Sequence, residues 1–418
     1  MGRNPGQLYT FHAPHKFPHS YQNAAGNGPV AFGPAVDRWN TPHFLDTAEF
    51  CAAFAIAYDW LYELWSADQL SQMRATLINY GLQPGLTVFT GSTSFGWWSN
   101  NITGNWNCVC NSGLTMASLA ILEDDTTGIA SQLLNFTVDN AKQNCALATV
   151  DDGTWTETAN YWYFGTTGHA EMASSLKTAT GSDYGLLDVN SNFNLTGEFH
   201  MYVYGATSLF NYGDTGPNKY STTANAMFLY ADHYNQAQYS LFQREQSDAA
   251  DPSSMFWYNP TVSGAFWDGL PLDHYFDNAF DQWVSMRSSW TDQHALYVAM
   301  KAGHLQNHQT HNDLDVGDFV LDALGTRWAG ELGSGDYTSI NYFSNDTQGS
   351  DRWRYYRKGT SGQNTILVDE KNQNVDAAPV VINYGSSQTT QGSSTVLTVP
   401  SNSTAYWIAD MTSAYFNA

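Results

Sequence analysis

Three short segments of this chain carry the groups needed to remove a proton beside a carboxylate: an amide, a phenol and an imidazole. The amide belongs to Asn105, the phenol to Tyr163 and the imidazole to His311. The C5 proton of a uronic acid is only weakly acidic, so a donor such as an Asn amide must hold the neighbouring carboxylate as charge moves onto it. Tyr or His can then take the proton and protonate the departing O4. These residue types predict β-elimination from a uronate polysaccharide.

Each of the three residues also has a structural explanation. Asn105 has the side chain of a helix cap, because Asn often accepts a hydrogen bond from the first turn of a helix. Tyr163 lies in an aromatic run that would suit a hydrophobic core, and His311 lies in a loop rich in Gln, Asn and His. The residues alone leave both interpretations open.

The chain is strongly acidic. Lys and Arg number 16 against 39 Asp and Glu, which gives a net charge of −23 over 418 residues. Long-range repulsion therefore excludes nucleic acid and anionic membranes as partners. No run of about 18 uncharged apolar residues is present, so no membrane span is expected. Among acidic polysaccharides, the low basicity favours glucuronan, alginate-like or weakly sulfated glycosaminoglycan substrates over heparin. The oligomeric state is left open.

Glycosylation motifs predict an extracellular or cell-envelope protein. The first ten residues lack the basic and apolar regions of a signal peptide. Five Asn-X-Ser/Thr motifs nevertheless fit a secreted glycoprotein, and they lie at Asn101, Asn135, Asn194, Asn345 and Asn402.

Aromatic and basic residues indicate sugar binding. Phe, Trp and Tyr make up 15% of the chain, and flat rings can stack on the CH face of a pyranose. Arg352, Arg354, Arg357 and Lys358 fall within seven residues and alternate with aromatic side chains. We predict that the three arginines bind the substrate. The alternative is an ordinary solvated strand and turn.

Two kinds of pattern divide the chain. Paired amphipathic helices separated by turn-rich loops occupy residues 1–250 and predict an incomplete (α/α) toroid. Short β-rich runs, including Thr365–Val368, occupy residues 251–418 and predict an antiparallel β-sandwich. The boundary is expected within Asp248–Pro260. Because the first forty residues lack a clear element and the last run stops at mid-pattern, we expect both domains to be truncated.

Local signals predict where the first helices begin and end. Asp46 with Glu49 and Ser66 with Gln69 have the spacing of capping boxes. The second helix is expected to end before Pro84, since proline breaks a helix interior. A further helix is predicted over Glu198–Asn211.

The four cysteines all lie in the first 150 residues and lack the spacing of a structural zinc site. Cys108 and Cys110 lie in a predicted helix, where their side chains diverge, so they should not bond to each other. Pairing with Cys51 or with Cys145 is left open.

Longer blocks resemble a known family. The heparinase II/III-like polysaccharide lyases are similar to this chain from about residue 40 onward, in the blocks Asn105–Gly113, Asp152–Trp155, His311–Asp322 and Arg357–Thr365. The resemblance implies a helical toroid joined to an antiparallel β-sandwich and an extracellular carbon-oxygen lyase. The Asp-Gly block is also similar to the segment of chondroitin AC and hyaluronate lyases in which the catalytic Tyr precedes a Gly.

The resemblance implies roles for individual residues. Asn105 matches the Asn that neutralises the carboxylate, in preference to Asn107, and His311 matches the His of the sandwich domain. Tyr163 matches the catalytic phenol, so proton abstraction falls to Tyr163 or His311. Trp106 stands where some of these lyases have a His and is expected, with Glu157, to contact the sugar.

The resemblance also raises a metal site. Heparinase II-like proteins often hold zinc in the sandwich domain, and the matching positions here are Asp313, Glu331 and Gln363. Losing two His ligands weakens a zinc site, whereas carboxylates suit a hard cation such as calcium. We expect no cofactor for catalysis, and either a structural divalent cation at Asp313 and Glu331 or an empty, hydrogen-bonded site.

Two other classes of function remain open. A hydrolase of uronate sugars would use a pair of carboxylates, here from Asp151, Asp152 and Glu157. A noncatalytic carbohydrate-binding protein would fit if the missing His residues mean lost activity.

Overall fold

A computed structural model describes residues 39–215, 224–246, 249, 252–278, 282–305, 311–337, 339–393, 397–398 and 404–415. Within these residues the chain forms two compact units. The first comprises residues 39–148 and 164–190, and the second comprises the described residues of 149–163 and of 191 onward. The predicted glycosylation site at Asn402 lies outside the described residues. So do residues 1–38 of the first forty, for which no clear element was predicted.

Helices form the first unit and open the second. Among the described residues they are α1 Phe44–Trp60, α2 Ala67–Leu77, α3 Gln83–Thr90, α4 Asn105–Ile121, α5 Ile129–Gln143, α6 Ala159–Thr180, α7 Thr196–Val203, α8 Ala226–His233, α9 Ala237–Arg244, α10 Ser254–Trp257 and α11 Thr412–Tyr415. Helix α6 begins in the second unit and ends in the first. Within the described part of the chain no helix is both long and apolar enough to cross a membrane.

Of the two predicted capping boxes, the structure contains one. Ser66 and Gln69 form a complete capping box, with Gln69 N donating to Ser66 Oγ and Ser66 N donating to Gln69 Oε1. Asp46 caps nothing, because α1 begins two residues earlier and Asn40 Nδ2 donates to Asp46 Oδ2 at 2.7 Å. The Asp46 prediction was wrong because a buried Asn upstream uses its carboxylate.

The second helix ends before Pro84, as predicted, but helical backbone continues through the proline. A π-helical turn over Ile78–Leu82 carries the chain from α2 directly into α3, where Pro84 lies in the first turn. Proline is tolerated there because the first amides of a helix have no intrahelical acceptor.

Helices α1 and α4 pack closely in the first unit. A Cβ on Gly113 would lie 2.2 Å from the Ala48 carbonyl oxygen, so only glycine permits this approach. Around the contact lies an apolar core that includes Phe44, Phe54, Leu77 and Leu114.

A disulfide joins Cys108 of α4 to Cys145, just after α5. This is one of the two pairings that the sequence left open, and Cys51 and Cys110 are free and buried.

Removing this disulfide with the Cys108→Ala/Cys145→Ala double variant is expected to lower the free energy of unfolding by about 2–4 kcal/mol. The bridge spans 37 residues, and such a cross-link restricts the unfolded chain. Urea unfolding of both proteins measures the difference. Cys51→Ala, which removes a free buried thiol, controls for the loss of core sulfur, and equal costs would contradict a role for the cross-link.

The second unit contains an antiparallel five-stranded sheet in the order β1-β2-β3-β4-β5. Ser285 pairs with Ala299, which pairs in turn with Val320, and all three side chains are buried. Two small two-stranded sheets pair β6 with β9 and β7 with β8. The strands are β1 Asp273–Asp277, β2 Gln282–Arg287, β3 Tyr297–Lys301, β4 Phe319–Ala323, β5 Thr326–Ala329, β6 Val380–Gly385, β7 Thr390–Gln391, β8 Leu397–Thr398 and β9 Tyr406–Asp410.

The mixed class, helical domain and then antiparallel β-structure, is confirmed. Two details differ. Helix α7 ends at Val203 rather than Asn211, since Tyr204 bridges to Leu209, and Thr365–Val368 contributes only an isolated bridge at Val368. Helices give way to strands between Trp257 and Asp273, whereas the compact units divide the chain differently. The domain boundary at residue 250 stays a prediction.

Candidate active site

The Asp-Gly block positions the start of α6 in the second unit. Asp152 and Gly153 both adopt positive φ, 65° and 85°, and a Cβ on Gly153 would lie 2.5 Å from the Leu195 backbone. The tight turn leads to Glu157, whose buried Oε2 accepts a hydrogen bond from Trp155 Nε1 at 3.0 Å. Tyr161 follows Glu157 by four residues, so both side chains come from the first turn of α6 and its approach.

Asp214 is the centre of a buried polar network. One carboxylate accepts from His311 Nδ1 at 3.1 Å, Tyr342 hydroxyl at 2.6 Å, Lys358 Nζ at 2.6 Å and Arg352 NH2 at 3.3 Å. Asp214 and His311 are also joined through their backbones, since Asp214 N donates to His311 O at 2.8 Å. Gly213 makes this possible, since at φ 68° a Cβ there would lie 2.6 Å from that carbonyl oxygen.

His311 lies against two carboxylates and a phenol ring. Its Nδ1 faces Asp214, and its Nε2 is 3.8 Å from Glu157 Oε1, which is beyond hydrogen-bonding distance. The Tyr161 ring stacks on the imidazole with centroids 3.9 Å apart and planes 17° apart. The predicted residues Glu157 and His311 are therefore brought together.

Two phenols meet beside the imidazole. The hydroxyls of Tyr161 and Tyr337 are 2.5 Å apart, and the Tyr337 ring packs against Tyr342 and Phe343. Sequence reasoning missed Tyr161 and Tyr337. The spacing of Tyr161 from Glu157, four residues across a helix start, was the available signal, whereas nothing in the sequence singles out Tyr337.

Burial and charge shift the titrations of these groups. Burial alone would raise the pKa of Asp214, but Lys358, the hydrogen bond from His311 and Arg352 hold it well below its ordinary value. Burial lowers the pKa of His311, although Asp214 opposes that shift. Burial and the nearby Asp214 charge raise the pKa of Tyr161 well above its ordinary value. At neutral pH the site thus contains a neutral imidazole, a protonated phenol and an ionised Asp214.

Comparison with known proteins identifies solved structures with a similar fold. No protein-family model matches the chain, and no curated protein sequence matches it. Solved structures do match at 14% identity. Heparinase III, the BT4657 gene product, has a TM-score of 0.53 over 82% of this chain and 47% of its own. Heparan sulfate lyase HepC from Pedobacter heparinus gives 0.52 over 88% and 51%, and another heparinase III gives 0.58 over 88% and 52%.

The chain has a heparinase III-like fold. It spans about half the length of the solved structures that it matches. The resemblance predicted from the sequence is confirmed at the level of fold, and identity this low carries no substrate or residue role with it.

Within the heparinase III-like fold, Tyr163 lies half-buried in α6, two residues beyond Tyr161. Residues two apart on a helix are rotated by about 200° around its axis, so their side chains lie on nearly opposite faces. The phenol ring of Tyr161 stacks on His311. The assignment of the catalytic phenol to Tyr163 stays a prediction.

The predicted basic patch does not form a single surface. Arg352 is fully buried, and its nitrogens donate to Asp214, Asn312 O and Tyr342 O. Lys358 is likewise buried against Asp214.

The other two arginines of the patch lie nearer the surface. Arg354 is exposed and pairs with Asp351 at 2.9 Å. Arg357 is half-buried and donates to the carbonyl oxygens of Leu332 and Ser334. Only Arg354 and part of Arg357 thus present surface to a sugar.

The predicted metal ligands have other partners. Asp313 forms a close ion pair with Lys358, and burial raises its pKa to about 7. Burial, with Asp318 beside it, raises the pKa of Glu331 well above its ordinary value, and Gln363 Nε2 donates to Arg357 O. No group of three or more His, Cys, Asp or Glu among the described residues could hold a metal ion. The divalent cation stays a prediction, and these contacts do not support it.

Asn105 lies in the first unit. It is the first residue of α4 and is buried. This position is compatible with a structural role at the start of the helix and with an amide that binds a substrate carboxylate. Asn107 has a clear structural role: its Nδ2 donates to Trp98 O at 2.9 Å and to Asn140 Oδ1 at 2.8 Å. Both amide hydrogens of Asn107 are therefore used within the first unit, and the assignment of Asn105 stays a prediction.

Proposed function

We propose that this protein is an extracellular polysaccharide lyase that cleaves a uronic-acid-containing polysaccharide by β-elimination. The observation that carries the proposal is the stacked Tyr161–His311 pair, in which an imidazole anchored by Asp214 lies against a phenol paired with Tyr337. A base and an acid held in contact are what elimination of a C5 proton and an O4 leaving group requires. The heparinase III-like fold supports the same reaction class.

His311 is proposed as the base. Donation from Nδ1–H to Asp214 fixes the tautomer in which Nε2 carries the lone pair. The lowered pKa of His311 keeps that nitrogen unprotonated at neutral pH. Once Nε2 takes the C5 proton, the imidazolium lies between Asp214 and Glu157, whose negative charges stabilise it.

Tyr161 is proposed as the acid. Its raised pKa keeps the phenol protonated, and the Tyr337 hydroxyl 2.5 Å away can replace the proton that Tyr161 gives up. The C5–H bond breaks toward His311, the C4=C5 double bond forms, and the C4–O4 bond breaks as O4 takes the Tyr161 proton. The products are an unsaturated uronate at the new non-reducing end and a free hydroxyl on the leaving sugar.

The remaining predicted residues have supporting roles in this proposal. Within the second unit, Arg357 contacts the sugar, and Arg352 positions Asp214 rather than touching substrate. The roles of Asn105 as the holder of the carboxylate and of Trp106 as a sugar contact stay predictions from the sequence. Glucuronan, alginate-like and weakly sulfated polymers fit the acidic chain best, since few cations are available to hold dense sulfate.

The protein is expected to generate ultraviolet-absorbing unsaturated uronates from at least one of glucuronan, alginate, hyaluronan, chondroitin and heparan sulfate. The measurement is a continuous absorbance assay, followed by mass spectrometry of the oligosaccharides. Products lighter by one water than the hydrolytic ones establish elimination. New reducing ends without unsaturation would replace the proposal with hydrolysis, and binding without any cleavage would indicate a noncatalytic sugar-binding protein.

A further inference from the structure

We propose that the C-terminal ends of helices α1 and α4 form a docking surface for a basic protein segment with an apolar centre. This surface, named here the acidic-apolar surface, comprises residues 58–64 and 122–124 of the first unit. The inference goes beyond the proposed function, because it concerns a protein partner and not the polysaccharide.

Helices α1 and α4 run parallel, so their C-terminal ends lie side by side. At their starts, the His43 and Trp106 rings pack edge-on with centroids 4.7 Å apart. At their ends, the Tyr58 hydroxyl donates to Asp124 Oδ2 at 2.5 Å. The peptide dipoles of two parallel helices add, and each helix has its partial negative charge at the C-terminus. The acidic-apolar surface therefore lies at the negative end of both helices.

Acidic side chains add to this negative end instead of balancing it. Cations stabilise a helix C-terminus, yet the last turns of α1 and α4 contain no basic residue. Asp59 lies in the last turn of α1, and Glu63 and Glu123 follow the two helices. All three carboxylates are exposed, so a partner can reach them.

A cation nearby does not neutralise the surface. Arg74 of α2 lies 3.9 Å from Asp124 and donates to the Tyr58 hydroxyl. The Asp124 charge still raises the pKa of Tyr62, although Arg74 opposes that shift. The negative field thus outweighs the one from Arg74, and a further cation at this position would relieve it.

Exposed apolar and aromatic side chains lie among these carboxylates. Leu64 is 78% exposed, Trp60 56% and Tyr62 40%. The segment that carries them is folded back onto α1, since Trp65 Nε1 donates to Ala57 O at 2.8 Å. An anchored apolar centre with a polar rim is the composition of a protein–protein interface, and Trp and Tyr are the residues that often dominate its binding energy.

The charge decides which partner fits this surface. A second copy of the chain is disfavoured, because a symmetric contact would place the same carboxylates against each other. Acidic polysaccharides and anionic membranes would be repelled. A metal ion is not favoured either, since the described part of the chain has no group of three or more His, Cys, Asp or Glu that could hold one. A protein segment with Lys or Arg beside an apolar anchor satisfies both features, and its cations can also lie over the exposed rings.

The test is fluorescence anisotropy of synthetic peptides mixed with the whole protein. The basic probe has lysines flanking a leucine-rich centre, and the acidic probe has glutamates in place of the lysines. The double variant Glu63→Lys/Leu64→Ser is expected to weaken binding of the basic probe about tenfold, through the lost carboxylate and the lost apolar contact. Added salt should weaken the same complex, because its charges are exposed.

Asp139→Lys/Leu147→Ser is the matched control. Asp139 and Leu147 are both exposed in the first unit and lie outside the acidic-apolar surface. The control makes the same change in net charge and in side-chain polarity, and we expect its affinity to stay within about twofold of the unsubstituted protein. Elimination activity should be the same in both double variants, so the result is independent of the lyase proposal.

Several outcomes would overturn the docking surface. Equal losses of affinity in the two double variants would mean that the peptide responds to net charge alone. Equally tight binding of the acidic probe, or of a lysine peptide without the leucine-rich centre, would remove the charge argument or the apolar argument. Failure of the basic probe to bind at up to about 1 mM would leave no docking site of useful affinity. A dimer in sedimentation that Glu63→Lys/Leu64→Ser dissociates would show that the occupant is a second copy, against the proposal.

Discussion

Replacing Tyr161 by Phe is expected to lower kcat by about 10²–10⁴-fold, the range that removal of a general acid or base commonly costs. The phenol hydroxyl is the only group lost, and the ring that stacks on His311 at 3.9 Å is kept. KM should change little, because the hydroxyl bonds to Tyr337 rather than holding the sugar in place. Steady-state kinetics on the polymer that gives the strongest absorbance signal measure both constants.

Tyr163→Phe is the matched control for this experiment. It removes the same hydroxyl from the same helix, two residues away and on a different side of α6. We expect kcat within about threefold of the unsubstituted protein, because helix geometry turns the Tyr163 side chain to a different side of α6 from Tyr161, the proposed acid. If Tyr163→Phe is the variant that loses activity, the assignment from sequence resemblance is right and the assignment from geometry is wrong.

The Tyr161 and Tyr163 pair shows why sequence alone could not complete the site. Both phenols lie in one aromatic run, and a resemblance that spans weakly similar residues fixes their position only to within a few residues. The face of a helix changes by about 100° with each residue, so an uncertainty of two positions places a side chain on the wrong side. The stacking of Tyr161 on His311 joins residues 150 positions apart, a separation no local pattern can predict.

The arginines illustrate a second limit. A cluster of basic residues has the same sequence pattern whether it faces solvent or a buried carboxylate. Arg352 donates to Asp214, 138 residues earlier in the chain, and Lys358 shares the same partner. The periodic and local features were predictable: the helical and β-rich halves, the capping box at Ser66 and the pairing of Cys108 outside its own helix. Glu157 and His311 were predicted individually and lie together, while their roles stay predictions.

The Asp214→Asn variant is expected to lower the free energy of unfolding by about 3–5 kcal/mol, the cost of leaving buried charges unpaired. Asp214 is buried and faces both Lys358 and Arg352, whose side chains are fully buried as well. An Asn side chain has similar size but no charge, so Lys358 and Arg352 would lose the carboxylate that both of them contact. Urea unfolding at neutral pH measures the difference, and an unchanged m-value would confirm that the same fold is lost.

The pH dependence of the stability of Asp214→Asn gives an independent check that Asp214 compensates the buried cations. Because the pKa of Asp214 is depressed in the folded protein, its contribution to stability is complete above its ordinary pKa of about 4 and is lost as pH falls below that value. Acidification should therefore reduce the difference in free energy of unfolding between the unsubstituted protein and Asp214→Asn. Asp351→Asn serves as the control, because the Asp351–Arg354 pair is largely exposed and should contribute less than about 1 kcal/mol. Equal destabilisation by the two substitutions, or a gap that widens in acid, would mean that Asp214 is not the carboxylate that compensates the buried cations.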